Sequence, residues 1–244
     1  DYLLIGAKKN NGNTGSAIVY KRTGTTWGRD TSLFHNITNI PSTSFFGTSV
    51  SINGDYLAVG SPGEHDNSGP PLFTQLNQSG RVYIYKLTGT QWVFQKKLLS
   101  GTYGGNISQP VITGFGSNLS LYGDKIIVGA NLDRALFFYE RTGADWLDEK
   151  RLSFNDIKTV GMYGNMAVIT GSAMTGEPAK NFVFKYANKQ LSWNLLAYYQ
   201  DPDFAVPAAS AIYKNEIIMG IPTFIKTSGV NSFVVGKVTF SDVQ

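Results

Sequence analysis

One short pattern recurs along this chain, and a recurrence of that kind constrains the architecture before any single strand is assigned. Residues 46–61 read FGTSVSINGDYLAVGS and residues 115–130 read FGSNLSLYGDKIIVGA, matching position for position. Fainter copies run from Val160 through residues 163–172 and from Ala211 to Ile221, and the chain opens inside another at Asp1-Tyr2-Leu3-Leu4-Ile5-Gly6-Ala7. A second pattern follows the first: residues 18–27 read IVYKRTGTTW, residues 84–92 IYKLTGTQW and residues 138–146 FYERTGADW. Tyr186 to Trp193 is a drifted fourth copy, and Phe233 to Phe240 a fifth that has lost its Trp.

The punctuation predicts the local structure. Gly54 and Gly123 separate two alternating apolar runs, and glycine's access to φ > 0 permits a two-residue hairpin with the twist strands prefer. The Val-Gly or Ile-Gly step ends strand two. A loop leads to strand three, and the Thr-Gly turn reverses the chain into strand four, which carries the Trp. Four strands in meander order make one blade of a β-propeller. A single blade leaves apolar surface open, so neighbours must stack, and the repeated Trp, Phe and Val are read as packing residues. The expectation is an all-β propeller of four-stranded antiparallel blades, with about five units near 1–34, 45–100, 114–154, 158–200 and 205–244 in one domain or a fragment of one.

Composition agrees and excludes several alternatives. Gly (27), Tyr (13) and Phe (15) are abundant while charged residues are only 16%, as suits short strands and tight turns. Cysteine is absent, which removes disulfides, thiolate nucleophiles and sulfur-ligated zinc. The net charge of +4 is spread over single residues and pairs such as Lys8-Lys9 and Lys96-Lys97, so no nucleic-acid interface is expected. No stretch approaches the roughly 20 apolar residues of a transmembrane helix.

These residues resemble the FG-GAP repeat, the unit of the integrin α-subunit propeller and of many extracellular proteins. Phe46-Gly47 and Phe115-Gly116 supply its first half; Val59-Gly60-Ser61-Pro62, Val128-Gly129-Ala130 and Ile5-Gly6-Ala7 stand where the family has Gly-Ala-Pro. The likeness covers nearly the whole chain and is strongest in the second and third units. It implies an extracellular or cell-surface location, an adhesion-type protein or glycan partner, and ligand recognition on inter-strand loops. It also implies a seven-bladed ring, of which five units are present, pointing to a fragment; a ring closed by strands from both ends is the alternative. Calcium-binding members resemble one another in an Asp-x-Asp-x-Asp-Gly loop between strands one and two. Here that place holds Asn53-Gly54-Asp55, Tyr122-Gly123-Asp124, Tyr163-Gly164-Asn165 and Lys214-Asn215-Glu216, too few carboxylates for the six to eight oxygens calcium takes. No cofactor is expected, and no calcium in those turns.

The candidate site is one loop. Gly60 and Trp92 lie 32 positions apart, against 17 between Gly129 and Trp146. Long loops on rigid scaffolds are the usual seat of binding residues. Within it Glu64, His65, Asp66 and Asn67 could meet a sugar hydroxyl, with Glu64 and Asp66 the weak metal candidates, and Leu72 and Phe73 could anchor a partner. The competing reading is a solvated turn, because Asp-Asn-Ser-Gly is ordinary turn chemistry. The two histidines, His35 and His65, have no motif partner, and the Asp148-Glu149 and Asp201/Asp203 pairs read as a solvated strand and a connector. An enzyme is not expected; hydrolysis is the least supported option. Sequons at Asn36, Asn77, Asn106 and Asn118 are glycosylation candidates in a secreted setting. The leading expectation is a non-catalytic recognition propeller; the alternative is a structural subunit of a surface filament, sheath or appendage that assembles with copies of itself or another chain.

Overall fold

Six glycine copies of the hairpin signal among the described residues fold as two-residue turns. Gly24, Gly54, Gly89, Gly123, Gly143 and Gly164 hold the first central position with φ between +57° and +64°, a conformation glycine adopts without a Cβ penalty. In the drifted fifth copy Lys214 takes that place at φ 54°. The computed structural model describes residues 1–33, 43–64, 80–100, 113–172, 174–175, 179–187, 192–199, 209–214, 216–221 and 234–239.

Five antiparallel sheets result, each with its strands in sequence order. The first holds β1 (Tyr2–Ala7), β2 (Ser16–Thr23) and β3 (Thr26–Leu33). The second holds β4 (Val50–Asn53), β5 (Tyr56–Ser61), β6 (Arg81–Thr88) and β7 (Gln91–Leu98), and the third β8 (Phe115–Tyr122), β9 (Lys125–Ala130), β10 (Ala135–Thr142) and β11 (Asp145–Ser153). The fourth is β12 (Asp156–Tyr163), β13 (Met166–Ser172), β14 (Lys180–Ala187) and β15 (Ser192–Tyr199); the fifth is β16 (Ala209–Tyr213), β17 (Glu216–Ile221) and β18 (Val234–Thr239). Packing divides the chain into two compact units, Asp1–Asp148 and Glu149–Gln244. A register shift recurs at one repeat position, after Val19, Ile84 and Val183, where strand four bulges against strand three.

In the first unit, period-two alternation decides which residues meet. The face of the second sheet carrying Leu57, Val59, Tyr83, Tyr85 and Trp92 packs against Leu4, Ala17 and Val19 of the first. Its opposite face, with Tyr56, Ala58 and Ile84, packs against Ile126, Val128, Phe137, Tyr139 and Trp146 of the third. One aromatic contact recurs at both interfaces: the residue after the hairpin turn of one sheet meets the Trp of the next edge-on. Tyr2 lies 5.3 Å from Trp92 and Tyr56 6.1 Å from Trp146 between ring centroids. The Arg141 guanidinium sits 4.5 Å from the Tyr56 ring, on the same stack.

The Phe-Gly step seals each interface. Phe46 and Phe115 are fully buried, and the backbones of Gly15 and Gly80 bridge to them in parallel. The Gly after each Phe has φ of +85° and +90°. It lies so near the preceding sheet that a Cβ on Gly47 would overlap the Ser16 carbonyl oxygen. The Gly that ends strand two is the other half of this contact, since a Cβ on Gly60 would overlap the Gly116 carbonyl oxygen. First strands of neighbouring sheets are then joined by side chains instead of a backbone ladder. Ser49 Oγ donates to the Gly116 carbonyl at 2.6 Å, and the amides of Leu121 and Gly123 donate to Ser51 Oγ and Asn53 Oδ1 at 3.0 and 2.9 Å.

In the second unit Val168 and Val183 of the fourth sheet pack against Ile217 of the fifth. There Thr170 Oγ1 donates to Asn181 Oδ1 at 2.7 Å and lies 2.6 Å from the Ser210 hydroxyl.

Candidate functional site

The long loop after Gly60 leaves the second sheet through a neck whose geometry is well defined. Residues 65–79 lie outside the described residues, and with them His65, Asp66, Asn67, Leu72, Phe73 and the Asn77 sequon. The loop's two ends are tied together, because the Gly80 amide donates to the Glu64 carbonyl at 3.1 Å. The descending arm is tied to the segment before β4: the Gly63 amide donates to the Ser44 carbonyl at 3.1 Å, and Ser61 Oγ reaches the same carbonyl at 3.0 Å.

Glu64 turns inward from this neck. It is only 5% exposed, and the Tyr83 hydroxyl donates to both its carboxylate oxygens at 2.8 and 2.7 Å. Lys97 Nζ stands 3.8 Å from Oε1. Arg81, also buried, donates from Nη1 to the Gly80 carbonyl at 2.6 Å. Tyr83 in turn meets Phe46 edge-on at 5.4 Å, so the polar neck continues into the apolar core. Burial pushes the Glu64 carboxyl above its ordinary value, against the opposing pull of the Tyr83 hydrogen bond and the charges of Lys97 and Arg81. Burial and the neighbouring Glu64 carboxylate likewise push the Tyr83 phenol up, so it stays a donor.

The sign of the resulting pH dependence follows directly. A carboxyl with a folded pKa above its unfolded one contributes stability fully below the unfolded value, near 4.5, and loses it as pH rises through the folded value. Glu64→Gln keeps an acceptor for Tyr83 but cannot ionise. The Gln variant is therefore expected to gain stability relative to wild type as pH rises from about 4 to 7. Urea midpoints across that range check this; a difference between the two proteins that stays flat with pH would show that Glu64 is not held in this way.

Of the sequence-selected ligands, then, Glu64 is placed and serves the neck. The residues that hold it, Arg81, Tyr83 and Lys97, carried no motif. Their signal was a departure within the repeat: at the places of Arg81 and Tyr83 the neighbouring copies have Ser16 and Ile18 or Ala135 and Phe137. Among the described residues no group of three or more His, Cys, Asp or Glu side chains could hold a metal. No helix there is long and apolar enough to cross a membrane. Asn118 is half-buried on β8, with its side-chain amide donating to Asn131 Oδ1 at 3.0 Å. The sequons at Asn36 and Asn106, together with His35, Asp201 and Asp203, lie outside the described residues.

Residues 41–85, which span the Phe46-Gly47 step, β4, β5 and the whole long loop, match the FG-GAP repeat model. No curated protein matches the chain. Among solved structures, a structural-genomics target from Lactobacillus plantarum superposes with a TM-score of 0.55 at 12% identity, covering 98% of this chain and 68% of that one. A computationally designed protein, Ika4, gives a TM-score of 0.44 at 13% identity over 78% of this chain and 89% of its own. At such identity the first likeness concerns the fold alone.

Proposed function

We propose that this chain, which carries an FG-GAP repeat at residues 41–85, is a β-propeller recognition module whose sheets are blades and whose partner, a protein or a glycan, is met by the loop rooted at Glu64 and Gly80. The observation that carries this reading is the neck. A backbone hydrogen bond closes it, a buried Glu64–Tyr83 pair braces it, and Phe46 couples it to the core. A braced root on a rigid sheet presents a long segment at a fixed place, which is how binding loops gain precision. The reading is non-catalytic: the buried titratable group nearest the loop is engaged by its own scaffold rather than turned toward a substrate. An extracellular or cell-surface setting belongs to the same proposal.

Replacing residues 65–79 by a turn as short as that between β9 and β10 tests it. The wild-type chain and the shortened variant would be compared on a glycan microarray and on immobilised fibronectin, collagen and laminin. The expected result is binding by the wild type that the shortened variant loses, with far-ultraviolet circular dichroism unchanged. Equal binding by both proteins, or none by either, would overturn the assignment to the loop.

The structural-subunit reading keeps one specific observation in its favour: apolar side chains stand exposed on the first and fifth sheets.

A further inference from the structure

Two Asn-Gly steps occur in the sequence, Asn11-Gly12 and Asn53-Gly54, and the fold holds them differently. An asparagine followed by glycine is chemically labile, because no Cβ shields the following amide nitrogen from the asparagine side chain. Asn53 ends β4, where it pairs with Tyr56 across the hairpin turn. Its Oδ1 also accepts the Gly123 amide of the third sheet at 2.9 Å. Bringing the Asn53 side chain onto the Gly54 nitrogen therefore requires the strand end and the link between sheets to open together.

Asn11-Gly12 lies in the loop from β1 to β2, and residues 10–13 are all exposed. Among the described residues no partner holds the Asn11 side-chain amide, and an added Cβ at Gly12 would meet nothing within 4 Å. Asn11, Gly12 and Asn13 run through the left-handed region at φ 50°, 67° and 70°, a conformation asparagine tolerates. The Thr14 hydroxyl closes the turn by donating to the Asn11 carbonyl at 2.7 Å. Docking falls farther along the loop, where the Asn13 and Thr14 carbonyls accept the Phe45 and Phe46 amides at 3.0 and 2.9 Å. The Asn11-Gly12 peptide thus turns without parting the loop from the Phe-Gly step. Exposure belongs to this position of the repeat, because Leu132, in the equivalent loop of the third sheet, is 64% exposed although the second sheet packs beside that sheet.

We propose that Asn11 is a site of spontaneous covalent modification, at which the folded chain acquires an aspartyl or isoaspartyl residue while Asn53 is protected. Hydroxide removes the Gly12 amide proton, and the nitrogen attacks Asn11 Cγ. The Cγ–Nδ2 bond breaks, Nδ2 leaves as ammonia with a proton taken from water, and a five-membered succinimide remains. Water then adds to either imide carbonyl and returns a proton to the Gly12 nitrogen. Opening at Cγ gives aspartate, and opening at the main-chain carbonyl gives isoaspartate; nothing is oxidised or reduced. Lys8 and Lys9, exposed just before the step, favour the anion that forms at Gly12. The isoaspartyl product is a substrate for a carboxyl methyltransferase that takes its methyl group from S-adenosylmethionine. None of this depends on what the long loop binds.

Incubation of the full chain in mildly alkaline buffer, well below its thermal midpoint, tests the proposal. Peptide mass mapping follows amide loss at each step, and methyl transfer by an isoaspartyl carboxyl methyltransferase counts isoaspartate. Asn11 is expected to convert roughly tenfold faster than Asn53, the factor set by one hydrogen bond that must break first. In guanidinium chloride the two steps should convert at similar rates, because the contrast belongs to the fold. Asn11→Gln should abolish most of the methyl acceptance of the aged native protein. Conversion at Asn53 as fast as at Asn11 in the native chain, no conversion at Asn11, or a contrast that persists undiminished in denaturant would each overturn the proposal.

Discussion

Gly47→Ala is expected to remove about 2 to 5 kcal/mol of stability, a large share of what a domain typically has. Two effects add at this position. The backbone sits at φ +85°, where an L-residue loses roughly 1 to 2 kcal/mol. The new methyl would also overlap the Ser16 carbonyl oxygen of the first sheet, and relieving an overlap with backbone means parting two packed sheets, about 1 to 3 kcal/mol more. Gly54→Ala separates the two terms, because Gly54 also has φ above zero, at +57°, yet nothing lies within 4 Å of its added Cβ. It should lose only the first amount. Urea unfolding followed by Trp fluorescence compares them, with Trp27, Trp92 and Trp146 all reporting from residues 1–148. Equal losses in the two variants would mean that close approach between sheets is not why the second half of the Phe-Gly step is glycine.

Phe115→Ala should be of similar size, about 3 to 5 kcal/mol, for a different reason. Phe115 is fully buried between the second and third sheets, with Phe137 and Tyr139 edge-on at 5.4 and 6.1 Å. Truncation leaves a cavity bordered by backbone on one side, where Gly80 lies against the Phe115 main chain, so the site has little room to collapse. Phe115→Leu should recover about half of the loss, since most of the volume returns without the edge-to-face contacts. A Phe115→Ala protein within about 1 kcal/mol of wild type would show that the Phe-Gly step does not hold these two sheets together.

Much of the fold was legible because strands and two-residue turns are local. Asn53-Gly54-Asp55 and Thr88-Gly89 announce their hairpins within a few residues, and the unbroken apolar run of residues 56–60 announces a strand buried on both faces. Trp27 shows where this reading stops. By motif it equals Trp92, yet one is half exposed and the other buried. The difference lies in whether Tyr2 or its counterpart stands opposite, which no property of the Trp-bearing strand can state. Glu64 was selected, beside His65 and Asp66, as a group that could meet a sugar hydroxyl or a metal; the fold encloses it with Tyr83, Arg81 and Lys97. Sequence adjacency in a loop says little about direction, because consecutive side chains there point where tertiary neighbours allow.

By itself, then, the amino-acid sequence determined the element type, the hairpin turns and the meander order, since each depends on backbone preferences and spacing within one repeat. Only the tertiary structure decided which face of each sheet is covered and why glycine recurs in both halves of the repeat. It also decided where Glu64 points. Those outcomes depend on atoms brought within a few ångströms from different repeats, Gly47 against Ser16 and Gly60 against Gly116, and proximity of that kind is absent from any single segment.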